Sequence, residues 1–161
     1  MTQLSQDAYA RIDREVAKFP PDQKQSAVMA ALAIAQEEIG WVSQEVVDAV
    51  AAYLQMPAIA VWEVATFYNM YSKTKPGRFK LAVCTNLPCQ LRDGEKAAMY
   101  LKAKLGIDFG ETTPDGTFTL VEAECLGACG DAPVMLVNNH RMCSFMGAPQ
   151  LDALVDELKK A

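Results

Sequence analysis

The sequence predicts an α+β protein in two parts: a small helical bundle over residues 1–76 and an α/β sandwich over residues 77–161. Three observations carry this expectation. The hydrophobic period is helical up to residue 76 and switches to two at Phe79. Lys73-Thr74-Lys75-Pro76-Gly77 punctuates the chain between the two patterns. An apolar content of 51% over 161 residues supplies enough material for one ordinary core or two small ones.

In the first part, residues 5–18 form a modest amphipathic helix closed by Phe19 and the Pro20-Pro21 break. Val28, Ala31, Leu32, Ala35 and Ile39 then recur at helical spacing, with Gly40 as the stop. Ser43 is placed to cap a third helix carrying Val46, Val47, Val50 and Leu54. Pro57 fits the first turn of a fourth, with Val61, Val64, Ala65 and Tyr68 along one side. Short helices with brief connections make a bundle.

In the second part, Phe79, Leu81 and Val83 alternate with Arg78, Lys80 and Ala82, which predicts a half-buried strand ending at Cys84. A helix is expected from Gln90 to Leu105, with Leu91, Ala98, Leu101 and Leu105 inward. The Asp115-Gly116 turn leads to a strand from Thr117 to Ala123. Val134–Val137 and Arg141–Phe145 flank Asn138-Asn139-His140 as a hairpin, and Pro149 opens a last helix carrying Leu151, Leu154, Val155 and Leu158. The order is βαβ followed by ββα, that of a thioredoxin-like sandwich. A right-handed crossover makes its first two strands parallel.

Charge narrows the function classes. Fifteen basic and 20 acidic residues give a net charge of −5, which argues against nucleic-acid binding through a general electrostatic footprint. The longest uncharged run, Ala49 to Trp62, is 14 residues long and holds Pro57, so no direct membrane insertion is expected. The first twenty residues contain Asp7, Asp13 and Glu15 and no apolar core before a cleavage site. They read as neither a secretory signal nor a transit peptide. The expected location is the cytoplasm, where clustered cysteines mean metal or redox chemistry more often than disulfides.

Four of the five cysteines fall in two tight pairs, Cys84 with Cys89 and Cys125 with Cys129. With parallel strands, both pairs lie just past the carboxyl ends at one edge of the sheet, where α/β folds place ligands. Four thiolates suit tetrahedral zinc, or a [2Fe–2S] cluster at two sulfurs per iron. The wide intervals favour the larger di-iron core over zinc. A single histidine excludes a Rieske centre and a Cys2His2 zinc site. A dithiol oxidoreductase is a further alternative, although its usual C-x-x-C at a helix start is missing. The lone Cys143 reads as a packing residue in a strand. Around the pairs, Gly127 and Gly130 allow close backbone approach. The helix from Gln90 points its positive end at the site. Leu87, Pro88, Leu126 and Ala132 shield it, and Glu122, Glu124 and Asp131 disfavour added negative charge.

Two segments, Cys84-Thr-Asn-Leu-Pro-Cys89 and Glu124-Cys-Leu-Gly-Ala-Cys-Gly-Asp-Ala-Pro-Val-Met-Leu-Val-Asn138, resemble the thioredoxin-like [2Fe–2S] subunit family of respiratory complex I. That family comprises the thioredoxin-like component of bacterial NADH–quinone oxidoreductase and its mitochondrial counterpart. Gly40-Trp41 and the run from Met56 to Tyr68 agree with it. The resemblance implies one [2Fe–2S] cluster, with Cys84, Cys89, Cys125 and Cys129 as its cofactor-binding metal ligands. It implies an electron-transfer subunit of the oxidoreductase with no complete active site or catalytic residue of its own. The NADH and FMN belong to a partner flavoprotein subunit, within a peripheral arm that includes other subunits. Related subunits serve NAD-linked hydrogenases and formate dehydrogenases.

The remaining candidates have plainer readings. Trp62, Phe67, Tyr68 and Tyr71 are expected in a core rather than as a docking face. His140 is expected as an exposed turn residue. Pro133 precedes the third strand, where thioredoxin-like folds often carry a cis proline, and a cis Ala132–Pro133 bond is expected.

Overall fold

The computed structural model describes residues 4–161. The chain divides into two compact units, with the boundary in the sequence between Lys75 and Pro76.

The first unit is helical. Helix α1 (Gln6–Val16) begins at Ser5, whose hydroxyl accepts the Ala8 N–H and so satisfies one of the donors a helix start leaves open. A 3-10 turn at Lys24–Ala27, which the sequence pattern does not reveal, leads into α2 (Val28–Ile39). Gly40 closes that helix at φ +92°, a conformation open to glycine at no steric cost. Ser43 caps α3 (Gln44–Leu54) by accepting the Val46 N–H. Pro57 is the cap of α4 (Ala58–Phe67) and stands one position before its first turn. Ile12, Leu32, Val46, Val47, Val50 and Val61 form the centre of the core.

Tyr71 is buried and donates its hydroxyl to the Met29 carbonyl, and Trp62 packs at the core edge. Phe67 is 80% exposed and Tyr68 is also on the surface, contrary to their expected place in a core. Phe67 closes α4, and the helix turns only Val61 and Ala65 fully inward.

The second unit is built on a four-stranded sheet of order β2-β1-β3-β4. Strand β1 (Phe79–Cys84) runs parallel to β2 (Phe118–Ala123), and Cys84 lies opposite Ala123. Strands β3 (Met135–Val137) and β4 (Arg141–Cys143) are antiparallel, and both are shorter than the sequence pattern suggests. The hairpin joining them turns on Asn138 and Asn139, both at positive φ, which asparagine tolerates. His140 is exposed there, as expected. The Ala132–Pro133 bond is cis, as expected.

The expected half-burial of β1 is corrected: from Lys80 to Cys84 every residue is buried. β1 lies between β2 and β3, with Leu81 and Val83 of one face in the second core and Cys84 of the other face in a separate buried cluster. The expected Gln90–Leu105 helix is also corrected, because it is two helices. One turn, α5 (Leu87–Gln90), is followed by Asp93 at φ +67° and then by α6 (Gly94–Leu105). The break leaves Leu91 77% exposed rather than inward, while Ala98 and Leu101 are buried. Helix α7 (Ala148–Lys160) contributes Leu151, Leu154, Val155 and Leu158 to the same core as Leu81, Val83, Ala98 and Leu101.

Candidate metal centre

The parallel pairing of β1 and β2 decides where the thiols go. Cys84 is the last residue of β1, and Cys125 follows two residues after the end of β2. Cys89 sits on the single turn α5, and Cys129 opens a 3-10 turn ending at Asp131. Cys84 and Cys89 are each 1% exposed and pack with Ala132 and Val134, with Leu126 and Ala128 alongside. Cys125 and Cys129 face solvent.

The thiol pairs share one neighbourhood. Cys125 Sγ lies 3.9 Å from Cys129 Sγ, far beyond a disulfide bond. It is close to the roughly 3.8 Å that a tetrahedral metal with bonds of about 2.3 Å imposes on two sulfurs. Burial first, then the adjoining Cys84 thiol, push the Cys89 thiol up, and the charge of Cys129 acts in the same direction. Cys129 is raised mainly by Cys125, then by lost hydration, with Cys84 contributing as well. Neighbouring thiols disfavour each other's ionisation, and a bound cation would offset that charge. Among the described residues no three His, Cys, Asp or Glu side chains gather closely enough for a single metal ion. Two thiol pairs suit a bridged di-iron core, which takes two sulfurs per iron.

The surroundings match the sequence reading in part. Gly127 adopts φ +76° and its N–H donates to Cys125 Sγ at 3.4 Å. Gly130 does not enter the left-handed region. Ala132 and Leu126 pack with the inner thiols, whereas Leu87 is 64% exposed. The helix end expected at the site belongs to the turn α5, since the long helix starts only at Gly94.

That glycine is a site residue the sequence reading missed. A Cβ at Gly94 would lie 2.7 Å from the Cys89 carbonyl oxygen, so only glycine lets α6 abut the Cys89 turn. Its signal was the Asp93-Gly94 pair, a turn dipeptide inside an otherwise helical pattern. Glu122, Glu124 and Asp131 form an exposed acidic rim. Cys143 is buried in the second core and its thiol is pushed up by burial.

The model of the thioredoxin-like [2Fe–2S] ferredoxin family matches residues 12–159. The chain belongs to this family. As a thioredoxin-like [2Fe–2S] ferredoxin it takes a [2Fe–2S] cluster as cofactor. It is 42% identical over 150 residues to an NADH-quinone oxidoreductase subunit of Rhizobium meliloti, covering 93% of this chain and 88% of that protein. It is 39% identical over 157 residues to the mitochondrial NADH dehydrogenase [ubiquinone] flavoprotein 2 of Dictyostelium discoideum. That match covers 97% of this chain and 63% of the Dictyostelium protein, so the ferredoxin spans less than two thirds of that relative's length. The crystal structure of an NAD+-reducing [NiFe]-hydrogenase in the H2-reduced state superposes with a TM-score of 0.69 at 20% identity. It covers 80% of this chain and 22% of that one, a likeness of fold. No helix among the described residues is long and apolar enough to cross a membrane.

Proposed function

We propose that this ferredoxin is the electron-carrying subunit of an NADH–quinone oxidoreductase, with Cys84, Cys89, Cys125 and Cys129 as the four ligands of its one [2Fe–2S] cluster. The observation that carries the reading is that, at the carboxyl ends of parallel β1 and β2, the hydrophobic cluster of Cys84 and Cys89 packs against Leu126 and Ala128 of the loop bearing Cys125 and Cys129. When bound, the cluster supplies a one-electron acceptor and donor. The chain supplies the holder. Cys84 and Cys89 would hold the [2Fe–2S] group from the buried side and Cys125 and Cys129 from the exposed side, with the Gly127 N–H donating to Cys125 Sγ.

The electron partner in this reading is the FMN of an NADH-binding flavoprotein subunit, so the hydride chemistry and the NADH site lie off this chain. The assembly is the peripheral arm of an inner-membrane complex, on the cytoplasmic side. Relatives near 40% identity are named as NADH-quinone oxidoreductase or NADH dehydrogenase subunits, which favours this assembly over the NAD-linked hydrogenase suggested by fold likeness.

Anaerobically purified protein is expected to be red-brown, to carry two irons and two sulfides per chain, to bleach with dithionite and to give a rhombic EPR signal. Cys84→Ala is expected to abolish that signal and Cys143→Ala to leave it. A retained signal in the Cys84 variant rejects the ligand set. Co-purification of a flavin-containing polypeptide with the tagged chain from its own cells tests the partner. Recovery of a hydrogenase subunit instead selects the second assembly.

A further inference from the structure

The two thiol loops are secured very differently. Cys84 is tied down on both sides: its N–H donates to the Val134 carbonyl, and Thr85 N–H donates to the Ala123 carbonyl, extending the β1–β2 pairing past the end of β1. Cys89 is enclosed in α5 and packed beneath α6. The loop that carries Cys125 is held by side-chain contacts instead: Leu126 packs against the hydrophobic cluster of Cys84 and Cys89, and Gly127 N–H donates to Cys125 Sγ. Among the described residues, no backbone–backbone hydrogen bond is made by residues 124–127. Its nearest backbone pairing along the chain is at the end of β2. There the half-buried Thr85 donates its hydroxyl to Glu122 Oε1 at 2.7 Å, joining the first residue beyond β1 to the penultimate residue of β2.

We propose that Thr85 and Glu122 are a positioning pair, a clasp between the two strand ends that sets the span from the Cys84 loop to the Cys125 loop and so holds the sulfurs in register for the cluster. The proposal rests on the ligand assignment above. Neither residue is a ligand. Glu122 stands opposite Val83 in the register, on the alternate side of the strands from Cys84 and Ala123, so the clasp acts through backbone placement. The bond is open to solvent, so its contribution is modest and is felt in the placement of a loop whose backbone is not paired to its neighbours. Its position identifies the effect. Loosening it leaves both hydrophobic cores intact and frees only the loop bearing Cys125.

The test follows cluster loss from the purified holoprotein to an excess of iron chelator. Thr85→Val and Glu122→Ala are each expected to speed release about five- to tenfold and to alter the rhombic EPR line shape, with the thermal unfolding of the cluster-free chain unchanged. Thr85→Ser keeps the hydroxyl and Glu122→Gln keeps an acceptor oxygen, so both are expected to restore wild-type release. The Thr85→Val/Glu122→Ala double variant is expected to be no faster than either single one, because one interaction is lost in all three. A double variant whose rate enhancement approaches the product of the single ones, failed rescue by serine, or unchanged release overturn the clasp while leaving the four ligands in place. A wild-type chain without stoichiometric iron and sulfide overturns the ligand assignment, and the clasp with it.

Discussion

A carboxylate that accepts several hydrogen bonds keeps its charge to lower pH than a free one, because protonation forfeits those bonds. Asp115 takes the hydroxyls of Thr113 and Thr117 and the Thr117 N–H, and its pKa falls to about 2 from an ordinary 3.8. A depressed folded-state pKa contributes stability that is fully present above the unfolded value and fades as pH falls through the folded one. Asp115→Asn is therefore expected to lower the urea midpoint at neutral pH, with the difference from wild type closing between about pH 4 and pH 2. A difference that stays constant down to pH 2 assigns the loss to turn geometry instead of charge. The turn was legible from Asp115-Gly116, because Asx and glycine chemistry is local. Thr113, on the far side of that turn, was not.

The same division between local and distant causes runs through the helices and strands. Ser43 and Gly40 mark the ends of their helices correctly because a cap needs only its own few residues. The Gln90–Leu105 helix failed because Leu91, Ala98, Leu101 and Leu105 fit one period, and periodicity cannot register a single left-handed residue at Asp93. At the break Gly94 closes on the Cys89 carbonyl five residues earlier, a local contact marked in the sequence by the Asp93-Gly94 pair and not by the hydrophobic period. Gly94→Ala must push against backbone, with Cβ contacts of 2.7 and 2.8 Å to the Cys89 carbonyl. Overpacking of this kind costs about 1–3 kcal/mol. The strain falls on Cys89, so the variant is expected to hold the cluster roughly tenfold less tightly while keeping its far-UV helical signal. Iron content after gel filtration checks this, and a variant that retains full iron removes Gly94 from the site.

Each unit carries its own core, the first drawn from residues up to Tyr71 and the second from Leu81 to Leu158. The placement of all four paired cysteines at one sheet edge was legible because parallel β1 and β2 follow from the handedness of a crossover, which holds for nearly any sequence. The interior position of β1 was not, since strand order depends on where β3 returns, and no periodicity within β1 records that. The four proposed ligands all belong to the second unit, and a group that binds only the folded state stabilises it in proportion to RT ln(1 + [L]/Kd). Removing the cluster therefore withdraws stability from the second unit alone. Two cores also break the assumption of a single all-or-none transition. Calorimetry of the loaded chain is expected to show two transitions, and treatment with dithionite and chelator to lower one of them while the other keeps its midpoint. The separated fragments 1–75 and 76–161 assign the peaks, and the chelator-sensitive one is expected in the second. A single transition that moves as a whole shows instead that the two cores unfold together.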